Sequence, residues 1–325
     1  MAIFINRGTP NIAVNDIEFL SPNIFAAVDV PEWKSVYRFD DPIWTLLNNA
    51  GKKSQRLIVY GGELYQGTYG SVSGDARVYK YNVSGNSWSQ IGGNLPDRAV
   101  YSMVEFDGTI FAGIAWLSGK VYRLNAGPVW TDVGRLGTEV SIISLVVVNS
   151  VLYGSGHTGK VYRYDGGTNW TAISATTYVG HALIDFNSEL YSASRSGGLS
   201  VVKKYTGSGT DWVQIGSSLE NFWNIYPITA AYRDKLCTSV GISISETKIY
   251  RYDTDWVHVD TFDNDVQVLK VKNDILWAGL TDGSIWSCYI ESLEEEPTNE
   301  ELMRHGKWFR NGIFKGYWLK PLEGV

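Results

Sequence analysis

Along most of the chain, short apolar runs alternate with turns rich in Gly, Asn and Asp, and the 3.6-residue period of a helix is missing. RLIVYGG (56–62), SLVVVNS (144–150) and QVLKVKN (267–273) are examples. Their β-branched and aromatic content predicts strands. One block then recurs: SVYRFDDPIWTL (35–46), RVYKYNVSGNSWSQI (77–91), KVYRLNAGPVWTDV (120–133), KVYRYDGGTNWTAI (160–173), VKKYTGSGTDWVQI (202–215) and KIYRYDTDWVHV (248–259). A tryptophan anchors each copy, at Trp44, Trp88, Trp130, Trp170, Trp212 and Trp256, with spacings of 44, 42, 40, 42 and 44 residues. Upstream of each block stands an apolar pair followed by small or short polar residues. It reads IFAA (24–27), LYQG (64–67), IFAG (110–113), LYGS (152–155), LYSA (190–193) and LCTS (236–239), with a seventh copy, LWAG, at 276–279. Each unit therefore reads strand, tight turn, strand, Gly-rich loop, strand, turn, strand.

Four short strands repeated at this interval predict an all-β protein, a β-propeller. The motif count predicts seven blades. The seventh lacks a W-x-x-I strand after Tyr289, and the orphan strand AIFIN (2–6) is expected to supply it and close the ring. A six-bladed ring with residues 1–50 packed apart is the alternative. Each indole is expected to fill the wedge between neighbouring blades and to donate its N–H to a backbone carbonyl. The small residues after the apolar pairs are expected where strands crowd together.

The segment NSWSQIGGNLPDRAVYSMVEFDGTIFAG (86–113), with its Trp, Pro-containing linker and inner strand, resembles the Kelch-type propeller family. The repeats resemble it over about residues 16–290, although AG, GS or SA replaces the family's double glycine and the units are shorter. The W-x-x-I/V-G endings are also similar to those of tectonin-type and tachylectin-type sugar-binding propellers. These resemblances imply the fold and no functional residue.

Composition changes after residue 290. An acidic linker, 291–301, precedes a segment, 302–325, in which Trp308, Phe309, Arg310, Ile313, Phe314, Tyr317 and Trp318 form a candidate assembly anchor. Asn311-Gly312 between two apolar runs predicts a hairpin. RHGKWFRNGIFKGYWL (304–319) resembles the C-terminal tails of bacteriophage virion proteins, in which an R-x-G-K-[WF]-F-x-x-G cadence recurs. That resemblance implies attachment to a virus particle.

Aromatic residues make up 14% of the chain, enough to fill a large core and to exclude general disorder. A net charge of −6 leaves no global basic field for nucleic acid or an anionic bilayer. The longest apolar run, Ile142 to Val148, is too short to cross a membrane, and MAIFINRGTPNIAVND lacks the pattern of a secretory leader. Cys237 and Cys288 are expected as buried apolar residues without a bridge. GSGHTG (154–159) matches a dinucleotide-binding pattern, but a strand follows it where the chemistry needs a helix, so it is expected as a turn. His157, His181, His258 and His305 have no metal spacing and are expected at surface or strand positions. Asp40, Asp165 and Asp253 are expected as turn formers.

No catalytic residue, cofactor site or metal site is expected. In a propeller, the loops after the second strands and the loops between blades emerge on one face. Tyr69, Trp116, His157 and Arg195 from the former, with Trp223, Asn224 and Tyr226 from the latter, form a candidate binding face. The expected function is that of a non-enzymatic structural protein of a bacteriophage virion, assembled in the host cytoplasm. Its expected partners are other virion proteins and a host-surface glycan or receptor, with several copies per particle and no nucleic acid or membrane insertion. A free-standing lectin or Kelch-like interaction module is the alternative. A propeller lyase or glycosidase would need paired carboxylates or a metal cluster that no motif marks.

Overall fold

The structure, a computed structural model, describes residues 3–9, 12–29, 35–41, 43–47, 51–175, 181–196, 198–220, 229–232, 235–243, 245–272, 275–289, 307–310 and 313–317. Among these residues every regular element is a strand, as the sequence pattern predicts. After β1 (Ile3–Asn6), antiparallel sheets of four strands follow one another in chain order. The first is β2 (Val14–Leu20), β3 (Asn23–Val28), β4 (Val36–Asp40) and β5 (Ile43–Leu46). The second is β6 (Lys53–Tyr60), β7 (Glu63–Tyr69), β8 (Val78–Asn82) and β9 (Ser87–Ile91). It is joined by one bridge pair, Tyr69 with Ala99, to the third: β10 (Ala99–Phe106), β11 (Thr109–Ala115), β12 (Lys120–Asn125) and β13 (Val129–Arg135).

Next come β14 (Ile142–Val148), β15 (Val151–Gly156), β16 (Val161–Gly166) and β17 (Asn169–Ala172). They are followed by β18 (Ala182–Phe186), β19 (Glu189–Ser196), β20 (Leu199–Tyr205) and β21 (Trp212–Ile215). A further sheet holds β22 (Thr229–Tyr232), β23 (Lys235–Ser243), β24 (Glu246–Tyr252) and β25 (Trp256–Phe262). The last run, β26 (Val266–Lys272), β27 (Ile275–Leu280) and β28 (Ile285–Tyr289), takes β1 as its outer strand. Ile3 stands opposite Tyr289 and Asn6 opposite Trp286.

Local chemistry sets the hairpins. Several first-to-second strand turns have two residues with positive φ, as in Asp107-Gly108, Asn149-Ser150 and Asn187-Ser188. These are the short turns whose twist matches paired strands, and Asn and Asp tolerate that backbone.

The first strands of the sheets stand side by side. β2 packs on β6, β6 on β10, β10 on β14, β14 on β18, β18 on β22, β22 on β26, and β26 on β2. The small residues of the second strands permit this approach. A Cβ on Gly113 would lie 2.5 Å from Ile142 Cγ2, and one on Gly279 would lie 2.6 Å from Val14 Cγ1. The core lies between sheets; Val14, Ile17, Val268, Trp277 and Ile285 form one such layer between the first sheet and the last.

The repeating tryptophans stitch the outer strands. Five of the six pack at a tilt on the aromatic residue opposite, as in Tyr81–Trp88 and Tyr164–Trp170, with ring centroids 4.9 Å apart in both pairs; Trp130 faces Leu124. Their indole N–H groups reach the neighbouring sheet: Trp130 donates to Ile91 O at 3.2 Å, Trp170 to Val133 O at 2.9 Å, Trp212 to Ile173 O at 2.8 Å and Trp256 to Ile215 O at 3.2 Å. For these four the expected carbonyl partners are in place. Asp40, Asp165 and Asp253 do more than form turns. Each pairs at 2.7 Å with the arginine two residues earlier, Arg38, Arg163 and Arg251, because alternate residues of a strand share a face. Cys237 and Cys288 are both buried free thiols, and burial pushes the Cys237 thiol up to about 12.

Contacts divide the chain into two compact units, Ala2–Tyr289 and a second that holds Ile290–Val325 with Met1. In the second, β29 (Lys307–Arg310) pairs antiparallel with β30 (Ile313–Tyr317), Arg310 opposite Ile313. Trp308, Phe309 and Arg310 are on β29; Ile313, Phe314 and Tyr317 are on β30. Trp318, the linker 291–301 and the expected turn at Asn311-Gly312 lie outside the described residues.

Candidate functional site: the central cavity and its mouth

Five of the first strands carry a shared irregularity. Pairing with the second strand slips at Val14/Asp16, Ser54/Arg56, Val100/Ser102, Ile142/Ser144 and Val266/Val268. One residue is extra at each slip: Asn15, Gln55, Tyr101, Ile143 and Gln267. A β-bulge re-aims the side chain of its extra residue. All five line a central cavity of about 400 Å³. The residue after the bulge reaches sideways instead. Asp16 Oδ2 accepts from Leu57 N at 2.9 Å, Ser102 Oγ from Leu145 N at 2.8 Å, and Ser144 Oγ from Leu183 N at 3.2 Å. These bonds tie first strands that share no ladder with one another.

Charged groups in the cavity wall are engaged with the protein itself. Lys270 Nζ lies 3.2 Å from Asp16 Oδ1 and 2.8 Å from Glu18 Oε2. Burial alone would lower the Lys270 ammonium, but the two carboxylates outweigh it and hold it above its usual range. Arg56 donates from Nε to Tyr101 O at 2.7 Å and from Nη1 to Asn15 O at 2.9 Å and Gln55 O at 3.0 Å. His181, expected at a surface or strand position, is instead buried in the cavity wall just before β18, where its backbone N–H donates to Ala193 O at 3.1 Å.

Trp116 packs against Tyr101 of the cavity wall. Its ring centroid is 6.0 Å from that of Tyr101 in an edge-on arrangement, and the residue is 49% exposed. Its φ is +97°, a backbone region in which a bulky side chain is an outlier. The strain is held from both sides. Trp116 N donates to Val140 O and Ser141 Oγ, and the next two residues dock on a fully buried carboxylate. Asp97 Oδ2 accepts from Leu117 N at 3.3 Å and from Ser118 N and Oγ at 3.0 Å. Leu117 and Val140 are exposed beside it.

Of the face expected from the sequence, Tyr69 ends β7, Trp116 follows β11 and His157 follows β15, while Arg195 is near the end of β19. All therefore stand at the same end of their second strands. Tyr69 is half-buried with Lys53 Nζ 5.8 Å from its ring centroid, and His157 is exposed. Trp223, Asn224 and Tyr226 lie outside the described residues. Sequence reasoning missed the bulge residues and Arg56, Asp16 and Lys270. At some strands a polar or aromatic residue follows the buried start, as in VND (14–16) and VYS (100–102), but Ile143 stands at the same place in IIS (142–144), so no common signal marks the position.

A family model for the DUF6242 beta propeller domain matches residues 33–175. Among curated protein sequences none matches the chain. A crystal structure of an inactive virginiamycin B lyase from Staphylococcus aureus with quinupristin aligns with a TM-score of 0.70 at 13% identity, covering 90% of this chain and 99% of that one. The WD40 repeats of RRP9 align with a TM-score of 0.63 at 10% identity, covering 89% and 97%. The computationally designed Ika8 protein aligns with a TM-score of 0.56 at 12% identity, covering 87% and 98%. Identities this low carry architecture only, and an enzyme stands beside repeat scaffolds among these neighbours. Taken with its successive four-stranded sheets, they make this chain a β-propeller.

Proposed function

We propose that the chain is a non-enzymatic structural protein of a bacteriophage particle. Its seven-bladed propeller is closed by β1, held on the particle by residues 302–325, and turns the face around Trp116 toward a partner. The observation that carries this reading is the hairpin β29–β30. Lys307–Arg310 and Ile313–Tyr317, within the segment that carries the cadence, pair as strands in the unit that holds Ile290–Val325. A lone two-stranded hairpin is marginal in water, so an aromatic, basic one gains from a surface to lie on. Partners in this reading are other virion proteins and a host-surface glycan or receptor, engaged by many copies at once.

The test is truncation after Tyr289. The truncated protein should fold and stay out of assembled particles, as read by immunoblot of purified virions. Incorporation at the full-length level would remove the anchoring role of the tail. A free-standing lectin or Kelch-like interaction module is the second reading, favoured by the exposed Trp116 and Leu117. It expects the same truncation to leave partner binding intact and no particle to be involved.

A further inference from the structure

We infer that the central cavity is a binding site for a neutral carbohydrate, taken one per chain on the side where Trp116 packs against Tyr101. This deepens the proposal of a binding face and rests on it. Three features of the cavity select the ligand class. Among the described residues its charged lining is balanced, Asp16 and Glu18 against Arg56 and Lys270, and each cation is already satisfied by carboxylates or carbonyls. An ionic ligand would find no unmatched charge there and would lose its hydration.

The bulges then aim amides into the space. Gln55 and Gln267 each offer both donors and an acceptor, and Asn15, whose amide nitrogen is held by Ser54 O at 2.9 Å, offers its carbonyl oxygen. Sugar hydroxyls likewise donate and accept. Tyr101 in the wall, with Trp116 set edge-on against it and 49% exposed, supplies the aromatic surface on which a sugar ring lies. A volume of about 400 Å³ falls in the usual range of small-molecule pockets. Finally, the strained φ of Trp116 is maintained by the buried Asp97 clasp. Strain of this kind concentrates at ligand clamps.

The purified full-length protein is screened on a panel of neutral oligosaccharides beside their sialylated and sulfated counterparts, and the strongest neutral member is titrated by calorimetry. Expected is saturable binding of neutral members at one site per chain. Binding should fall about tenfold in Gln267→Leu, the loss of one or two hydrogen bonds. In Trp116→Gly it should fall at least as far, with a thermal midpoint that does not drop, because glycine accepts the positive φ. Absence of saturable binding by any neutral member, equal or tighter binding of the charged counterparts, or affinity unchanged in both variants overturns the inference. Particle incorporation reads residues 302–325 alone, so a negative carbohydrate result leaves the anchoring proposal standing.

Discussion

The indole N–H of Trp44 donates to the carbonyl of Arg7 at 2.9 Å, across 37 residues of sequence. Trp130, Trp170, Trp212 and Trp256 make the same bond to a residue at or near the end of the preceding outer strand. Arg7 follows directly on β1, so β1 stands to Trp44 as the other outer strands stand to their tryptophans. Arg7 also donates from its backbone to Ile285 O at 2.7 Å and from Nε to Ser287 Oγ at 2.7 Å.

That equivalence is testable. Trp44→Phe removes one partly buried hydrogen bond and should cost about 1–2 kcal/mol, the same as Trp170→Phe or Trp212→Phe. Chemical denaturation of the three variants makes the comparison. A Trp44 variant as stable as the parent, with the other two destabilised, would show that β1 is not an equal member of the ring. Deletion of residues 2–8 should cost more, since β28 becomes an open edge.

The glycines of the second strands should resist enlargement. Gly113→Ala sets a methyl 2.5 Å from Ile142 Cγ2, and overpacking of this kind costs about 1–3 kcal/mol. Gly93→Ala is the control. No atom lies within 4 Å of its added methyl and its φ is not positive, so its unfolding midpoint should match that of the parent.

Asp97→Ala should release the Trp116 loop. The carboxylate accepts from Arg98 N at 2.7 Å as well as from Leu117 and Ser118, and its loss leaves those donors unmatched. A cost of about 2–4 kcal/mol is expected, since several hydrogen bonds to a buried charge disappear together. Hydrogen exchange resolved by peptide should speed up over residues 116–119. Unchanged protection there would mean that Val140 and Ser141 suffice to hold the loop.

Acid should weaken the second sheet's loop through Asp75. Burial opposes its charge, but Lys52 Nζ at 2.5 Å and the Val72 N–H at 3.2 Å outweigh it and hold the carboxyl below the usual range. A carboxyl lowered in the folded state adds stability above its unfolded pKa of about 4, and that stability is lost as pH falls through the folded value. Asp75→Asn should therefore destabilise at pH 7 and converge with the parent in strong acid. Parallel stability curves across that range would refute the role of the pair.

The repeat was legible because a packing requirement recurs in six successive sheets. Trp130 and Trp170 meet equivalent carbonyls, so the same side chain is needed at the same interval. The hairpin β29–β30 was legible too, since two short apolar runs around Asn311-Gly312 leave few other pairings. The cavity was not legible. Its bulge residues are Asn, Gln, Tyr, Ile and Gln, one from each of five first strands and chemically unlike. Packing in the blades does not constrain a side chain that points into open space, so no common residue marks the position. The pairing of Lys270 with Asp16 and Glu18 was hidden for another reason: its partners are more than 250 residues apart and meet only where the last sheet returns to the first.

By itself, then, the sequence determined the strand pattern, the blade period and the wedge tryptophans, because each follows from local periodicity or from a contact repeated between neighbours. Tertiary structure alone decided which residues face the axis, how their charges cancel, and that Trp116 is held in a backbone conformation a tryptophan rarely adopts. Those properties arise where first strands distant in the chain converge. Their geometry depends on the register of every bulge around the ring, which no local stretch of residues encodes.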